Sequence, residues 1–260
     1  MYEAHWGLQQ KPFENNMESG FYYPSDTHQA ALLKLRYIVE NARQGAVLTG
    51  LPGLGKSMVI RSLFAKLPES ISPRIHLVFA QMPADQLLAY LAHEFVGEST
   101  LDREPNIEAS VRHIQGSLLD NIANDRHAIV VVDEAHLIEE ERTFETLRLL
   151  LNFTTDATNP LTLLLVGQPE LLPRLHRHPD LEERLAVKCL LSPLDLDGTV
   201  AYITYRLQTA GADADIFTDE ALETIHVLSQ GIPRQINRLC DLALLIGYAE
   251  EQPQIEAPAI

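Results

Sequence analysis

Basic residues, cysteines and long apolar runs are all scarce in this chain of 260 residues. Lys and Arg number 20 against 36 Asp and Glu, which gives a formal net charge of −16. An acidic chain is a poor candidate for unspecific nucleic-acid binding, because contacts to phosphates need clustered Lys and Arg. A local basic stripe in an assembled ring remains compatible with this balance.

The two cysteines, Cys189 and Cys240, sit in apolar runs and are predicted to be buried thiols. Two cysteines provide neither a disulfide framework nor a zinc-binding spacing, which fits a reducing compartment. No apolar run approaches the roughly 20 residues that cross a bilayer, and the N-terminus lacks the pattern of a signal peptide. We therefore expect a cytoplasmic chain, either free or associated with a membrane through a partner or a further C-terminal region. Residues 254–260 resemble the start of another helix, so we expect one domain of a longer protein.

Short apolar runs alternate with helical patterns over most of the chain. The runs are continuous, as expected for strands buried on both faces of a parallel sheet. Such alternation predicts a doubly wound α/β sheet. The predicted strands are Ala46–Thr49, Ile75–Ala80, Ala128–Val132, Leu161–Val166 and Val187–Leu191.

The strand pattern stops near Pro193, where we predict a domain boundary. Residues 1–192 would hold an N-terminal segment and an α/β domain, and residues 193–260 a small α-helical domain, called the lid below. In the front segment, Met1–Arg43, a loop precedes a helix from about Ser25. The predicted lid helices are Asp197–Ala210, Thr218–Ser229 with Thr218 as N-cap, and Pro233–Gly247.

The strongest motif is a phosphate-binding loop, or P-loop, at residues 50–57, which read Gly-Leu-Pro-Gly-Leu-Gly-Lys-Ser. This is a full G-x-x-x-x-G-K-[ST] between a predicted strand and a predicted helix. Its glycines let backbone N–H groups face phosphates at a helix N-terminus. Lys56 would reach the β- and γ-phosphates of ATP, and the Ser57 hydroxyl would bind Mg²⁺. The candidate nucleotide contacts are Gly50, Pro52, Gly53, Leu54, Gly55, Lys56, Ser57 and Met58.

Two carboxylates, Asp133 and Glu134, follow the third apolar run directly. The C-terminal ends of parallel strands face the ligand crevice, so Asp133 is predicted to hold Mg²⁺ and Glu134 to deprotonate the attacking water. Asp133 to His136 also spell the DEAH box of a helicase superfamily. Those helicases carry two such domains and this chain has room for one, so we interpret His136 as a neighbour of the site.

Three further polar residues are candidates for contact with the γ-phosphate. Gln168 follows the fourth strand and would bond the attacking water, although it also fits the start of a helix. Arg184 precedes the fifth strand and would reach a neighbouring subunit's nucleotide, unless it only pairs with Glu182 or Glu183. Arg234 opens the last lid helix, and Arg238 lies one turn later as its substitute. The basic stretch Arg174–His178 is interpreted as a solvated loop, with contact to a partner or DNA as the alternative.

The P-loop, the acidic pair, the polar residue after the fourth strand and the two arginines, in this order, resemble an AAA+ ATPase. Several segments also resemble the ExeA/GspA family, over essentially the whole chain. The segments are Trp6–Leu8 with Lys11–Phe13, Phe21–Pro24 with His28, Leu147–Phe153, Val166–Leu171 and Gly231–Asp241. The resemblance implies sheet order 5-1-4-3-2, a helical lid, ATP and Mg²⁺ as ligands, and a homo-oligomer. It also implies that Gln168 is sensor 1, Arg184 the arginine finger and Arg234 sensor 2, with Tyr22, Tyr23 and Pro24 near the adenine. Longer members continue into a membrane helix and a peptidoglycan-binding part, neither of which is visible in this sequence.

Three functions are compatible with these features. The first is an ATPase that supports assembly of a type II secretion system with a secretion protein as partner. The second is a transposition ATPase resembling TniB or MuB, which delivers target DNA to a transposase. The third is a nucleotide switch without hydrolysis, which the intact Glu134 argues against. The negative net charge and the N-terminal segments that resemble the ExeA/GspA family favour the first function over the second.

Overall fold

The computed structural model describes residues 2–14, 21–97, 106–154 and 159–260, so parts of the predicted front segment lie outside the described residues. The chain divides into two compact units. The first unit consists of Met1–Gln29, Pro52–Met58 and Ser192–Ile260, and the second of Ala30–Leu51 and Val59–Leu191. The part of the front segment up to Gln29 and most of the P-loop thus group with the predicted lid, and the domain boundary after residue 192 stays a prediction.

The second unit contains a five-stranded parallel sheet in the order β2-β3-β4-β1-β5. This confirms the predicted order 5-1-4-3-2. All residues of β1 and β4 are buried, as expected for the middle of such a sheet. The strands are β1 (Gly45–Thr49), β2 (Ile71–Leu77), β3 (His127–Val132), β4 (Leu161–Gly167) and β5 (Leu185–Leu190).

The two edge strands depart from the prediction. β2 begins at Ile71 and ends at Leu77, whereas the predicted run was Ile75–Ala80. Residues 72, 73, 74 and 76 of β2 are only partly buried, so its first half lacks the apolar continuity that marks a central strand. In β5, every second residue is exposed, including Lys188 and Leu190. The expectation of burial on both faces is wrong for β5, because the exposed residues alternate along the strand and therefore share one face that is open to solvent.

Helices account for most of the remaining described chain. The predicted lid helices are confirmed to within two residues, and the Thr218 hydroxyl accepts from the N–H of Ala221 at 3.2 Å as an N-cap. Two 3₁₀ turns lie at Ala135–Leu137 and Ala257–Ala259. The helices are α1 (Asp26–Glu40), α2 (Lys56–Lys66), α3 (Ala84–Val96), α4 (Ile107–Ala123), α5 (Glu141–Leu150), α6 (Leu171–Leu175), α7 (Pro179–Glu182), α8 (Leu196–Thr209), α9 (Asp219–Ser229) and α10 (Pro233–Ala249).

The first unit is held together by its N-terminal residues as well as by the lid helices. Tyr2, Trp6, Leu8 and Phe13 are buried in the same apolar cluster as the inner faces of α8, α9 and α10. The Trp6 indole N–H donates to the carbonyl of Leu244 at 2.9 Å. The first residues of the front segment are therefore a structural part of the helical unit.

Arg206 on α8 ties down the segment that follows. Its guanidinium donates to the carbonyl of Pro12 at 2.6 Å and to that of Glu14 at 2.9 Å, and it lies 4.7 Å from the ring centroid of Phe21. Arg206 is only 5% exposed. A buried arginine is stable only where such partners satisfy its N–H groups, so this side chain fixes the path of the N-terminal segment.

Both cysteines are free and buried, as predicted. Burial raises the pKa of each thiol, which keeps Cys189 and Cys240 protonated and unreactive. Among the helices of the described ranges, none is long and apolar enough to span a bilayer.

His127 makes the stability of the second unit depend on pH. Burial lowers the pKa of its imidazole to about 4, and its Nε2 lies 2.8 Å from the Thr162 hydroxyl oxygen. In an unfolded chain a histidine titrates near pH 6.5. As the pH falls from about 6.5 to about 4, only the unfolded state takes up a proton, so the free energy of unfolding should fall by up to ~3 kcal/mol. Above pH 6.5 the contribution is fully retained.

Denaturant titrations at several pH values measure this effect. His127→Gln should flatten the decline between pH 6.5 and 4, while His93→Gln, at an exposed position, should leave it unchanged. A decline of equal size in His127→Gln and in the parent chain would contradict the assignment.

Candidate active site

The P-loop adopts a backbone that two of its glycines permit. Gly53 and Gly55 have φ values of 85° and 87°, in the left-handed region that other residues rarely adopt. A Cβ at Gly55 would lie 2.9 Å from Nε2 of His28, which is too close for an ordinary contact. The loop connects the end of β1 at Thr49 to the start of α2 at Lys56. A strand, a glycine turn and a helix N-terminus together form an anion-binding arrangement.

His28 supports the P-loop from within the first unit. Its Nε2 lies 2.7 Å from the carbonyl of Leu54, and its Nδ1 contacts the Ser25 hydroxyl. Because a carbonyl only accepts, the proton of a neutral ring must be on Nε2, and the hydroxyl then donates to Nδ1. Burial lowers the pKa of His28, which favours this neutral form. His28 belongs to the N-terminal segments that resemble the ExeA/GspA family, but the sequence alone indicates no role for it.

The lid helix α10 contacts the P-loop through its first turn. The N–H of Arg234 donates to the carbonyl of Gly53 at 3.3 Å, and a Cβ added at Gly53 would lie 2.8 Å from Cβ of Arg234. The side chains of Arg234 and Arg238 are exposed. Arg234 therefore opens the lid helix at the loop, as expected, and its role as sensor 2 stays a prediction.

The remaining predicted residues of the first unit differ in burial. Lys56 is 7% exposed at the first position of α2, where Ser57 follows it. The ring of Tyr22 meets that of His28 edge to face with centroids 6.3 Å apart, and Tyr23 packs against Tyr202 and Tyr205. Pro24 is exposed. Their predicted position near an adenine stays a prediction.

In the second unit, three predicted site residues follow three adjacent strands. Gly50 follows β1, Asp133 follows β3 and Gln168 follows β4, and β4 lies between the other two strands. The N–H of Gly50 donates to the carbonyl of Gly167 at 3.3 Å. The parallel register thus brings these strand ends to one edge of the sheet, where ligands of such sheets bind.

Asp133 is a buried carboxylate with a fixed orientation. It is 5% exposed, and its Oδ1 accepts the N–H of Glu134 at 2.9 Å. Its Oδ2 lies 3.4 Å from Nε2 of His76 on β2. His76 lies within the predicted strand Ile75–Ala80, but the sequence alone does not show that its side chain lies beside Asp133.

Glu134 has an unusual backbone conformation and a histidine neighbour. Its φ is 50°, in the left-handed region, which is uncommon for a residue with a side chain and occurs more often at functional sites. Nδ1 of His136 lies 3.3 Å from Oε2 of Glu134, and the N–H of Gln168 donates to the same Nδ1 at 3.4 Å. The interpretation of His136 as a neighbour of these residues is therefore supported.

The arginine-containing segments before β5 are more ordered than expected. Arg184 is half-buried, and among the described residues no ion pair joins it to Glu182 or Glu183. The basic stretch Arg174–His178 was interpreted as a solvated loop, and this is wrong for part of it. Arg174 lies in α6 and donates to the carbonyl of Ile138, while His178 is 9% exposed and stacks on Phe144.

Comparisons with known proteins agree with this arrangement. The sequence pattern of the AAA domain family matches residues 39–175. General secretion pathway protein A of Aeromonas hydrophila is 36% identical over 259 residues, which are 98% of this chain and 46% of that protein. This chain thus spans about half the length of that relative.

Solved structures show the same fold at low sequence identity. The ORC2 protein of Aeropyrum pernix, in ADPNP–ADP complexes, has a TM-score of 0.70 at 15% identity, with 96% of this chain and 70% of that chain covered. Cdc6p from Pyrobaculum aerophilum has a TM-score of 0.67 at 17% identity, with 93% of this chain and 65% of that chain covered.

The family match, the strand order and the P-loop all define a protein with an AAA domain. The chain belongs to the AAA domain family and, within it, to the ExeA/GspA family.

The contact between His28 and the P-loop predicts a measurable effect on nucleotide affinity. His28→Ala removes the donor to the Leu54 carbonyl and should weaken ATP binding by about 3- to 10-fold, the weight of one hydrogen bond. His28→Gln, whose side-chain amide reaches the position of Nε2, should retain most of the affinity. Calorimetric titration with a non-hydrolysable ATP analogue measures this, with Leu33→Ala at an exposed position of the same helix as the control. Equal affinity of His28→Ala and the parent chain would rule out the supporting role.

Proposed function

We propose that the chain binds ATP with Mg²⁺ and hydrolyses it at interfaces between subunits of a homo-oligomer. Residues 50–58 would hold the phosphates, with Lys56 at the β- and γ-phosphates. Ser57 and Asp133 would hold Mg²⁺. They fit this ion, because a hydroxyl and a carboxylate are hard oxygen ligands and Mg²⁺ commonly uses one or two protein carboxylates beside phosphate oxygens.

In this proposal the polar residues at the strand ends act on the attacking water. Glu134 would orient the water and accept its proton, and Gln168 would bond the water and the γ-phosphate. The chemistry that bound Mg²⁺ supplies is neutralisation of charge on the phosphate oxygens. Arg234 would contact the γ-phosphate from the lid, and Arg184 would act on the nucleotide of a neighbouring subunit.

The energy of hydrolysis would drive assembly or remodelling of a partner complex, and we propose that this complex belongs to type II secretion. The observation that supports this choice is the 36% identity to General secretion pathway protein A across 98% of the chain. A DNA-binding transposition regulator is the alternative. The net charge of −16 does not favour it.

ATP turnover, measured against protein concentration with and without DNA, separates the secretion function from the transposition alternative. ATP turnover per chain should rise with protein concentration, because each site needs a neighbouring subunit, and DNA should leave it unchanged. Strong stimulation by DNA would favour the transposition alternative.

A substitution in the P-loop tests the nucleotide site itself. Lys56→Ala should abolish nucleotide binding, with Lys66→Ala at the end of α2 as the matched control. Full affinity of Lys56→Ala for ATP would refute the assignment of the P-loop.

Glu134→Gln separates binding from hydrolysis. The amide keeps the size of the side chain but is not a base, so the variant should bind ATP with near-normal affinity. Its turnover should be at least roughly 10²-fold slower, the usual weight of a catalytic base. Phosphate release measures turnover, and Glu139→Gln is the control. Unchanged turnover would remove Glu134 from the mechanism.

Mixing two inactive chains tests the role of Arg184. Arg184→Ala would supply an intact nucleotide site, and Lys56→Ala would supply an intact arginine to its neighbour. Mixtures should therefore regain part of the ATPase activity that each variant lacks alone. An absence of rescue at every ratio, in mixtures that still associate, would mean that Arg184 acts within its own subunit or not at all.

A further inference from the structure

One nitrogen of His136 contacts two residues that the proposed mechanism uses for different tasks. Nδ1 lies 3.3 Å from the Glu134 carboxylate and also accepts the backbone N–H of Gln168 at 3.4 Å. The His136 side chain is only 10% exposed, whereas that of Glu134 is 43% exposed. The histidine is thus confined, and the glutamate has access to water.

Two backbone features bring the ring to this position. The left-handed conformation of Glu134 turns the chain into the 3₁₀ turn Ala135–Leu137, and the N–H of Leu137 donates to the Glu134 carbonyl at 2.8 Å. On the facing strand, a Cβ at Gly167 would lie 3.1 Å from the backbone nitrogen of His136 and 3.3 Å from its Nδ1. The absence of a side chain at Gly167 therefore allows the close approach.

The two contacts require opposite states of the same atom. A carboxylate only accepts hydrogen bonds, so a hydrogen bond from this nitrogen to Glu134 needs a proton on Nδ1. A backbone N–H only donates, so contact with Gln168 needs a lone pair there. A neutral imidazole carries one proton on either Nδ1 or Nε2 and can satisfy only one of the two partners at a time.

We propose that His136 is a positioning residue that orients Glu134 in one tautomer and binds the N–H of Gln168 in the other. The exchange moves the single ring proton between Nδ1 and Nε2 through solvent and leaves the charge of the ring unchanged. The orientation of the base then depends on the end of β4, where Gln168 follows. This inference rests on the proposed function, in which Glu134 is the base and Gln168 contacts the γ-phosphate.

The first test reads the ring proton directly and needs no turnover. The ¹⁵N resonance of Nδ1 in the nucleotide-free chain reports whether this nitrogen carries the proton. Glu134→Ala removes the partner that needs a proton on Nδ1, so the resonance should move toward that of an unprotonated nitrogen. Glu139→Ala, three residues beyond His136, should leave it in place. Identical His136 resonances in Glu134→Ala and the parent chain would overturn the proposal.

The second test is kinetic and uses three substitutions of His136. His136→Phe should lower kcat about 10-fold and change KM for ATP by less than about 2-fold, because orientation of the base is lost and nucleotide contacts are kept. His136→Asn, whose amide reaches the position of Nδ1, should recover kcat to within about 3-fold of the parent chain. His136→Gln places its amide near Nε2 and should not recover it. A purely structural role would give no such difference between Asn and Gln.

The outcomes separate this inference from the proposed function. If the parent chain hydrolyses ATP and His136→Phe matches it, the positioning role is refuted while the ATPase assignment stands. If the parent chain has no ATPase activity under any condition, the proposed function fails. In that case the ¹⁵N measurement still decides whether Glu134 and Gln168 share the nitrogen.

Discussion

Parallel pairing of β3, β4 and β1 is the constraint on which the candidate site depends. Each of these strands continues into a functional segment: β3 into Asp133 and Glu134, β4 into Gln168, and β1 into the P-loop. In a parallel sheet the C-terminal ends of neighbouring strands meet at one edge. Because β1 and β4 are buried along their whole length, a shift in register would draw the polar residues at a strand end into the core, at a cost in desolvation. Packing of the core therefore also fixes the relative positions of the polar groups at that edge.

Within the first unit, the P-loop is held by contacts to its carbonyl groups. His28 donates to the carbonyl of Leu54 and the N–H of Arg234 donates to that of Gly53. An anion-binding loop presents its backbone N–H groups to the anion, so its carbonyl groups are free to accept hydrogen bonds of this kind. The helix that carries Arg234 and the helix that carries His28 thus both contribute to the shape of the loop.

Much of this arrangement was predictable from the sequence, and the exceptions have physical causes. Central strands and the P-loop are recognisable because continuous burial and glycine spacing leave local patterns. The edge strand β2 lacks such continuity, and its start at Ile71 was missed. Contacts such as His76 with Asp133, or His136 with both Glu134 and Gln168, join residues whose proximity depends on tertiary structure. The half-buried packing of Arg174 and the buried ring of His178 were missed for the same reason. A cluster of basic residues in the sequence does not show which residues pack against it in the folded chain.

The burial of the first residues of the chain has a practical consequence for work on this protein. Trp6, Leu8 and Phe13 belong to the core that also contains the inner faces of the lid helices, and Arg206 holds the carbonyls that follow them. An affinity tag or fluorescent label fused at the N-terminus is therefore attached to the unit that also contains the P-loop. A truncation that removes these N-terminal residues would therefore remove part of the apolar core that supports α10, the helix that carries Arg234.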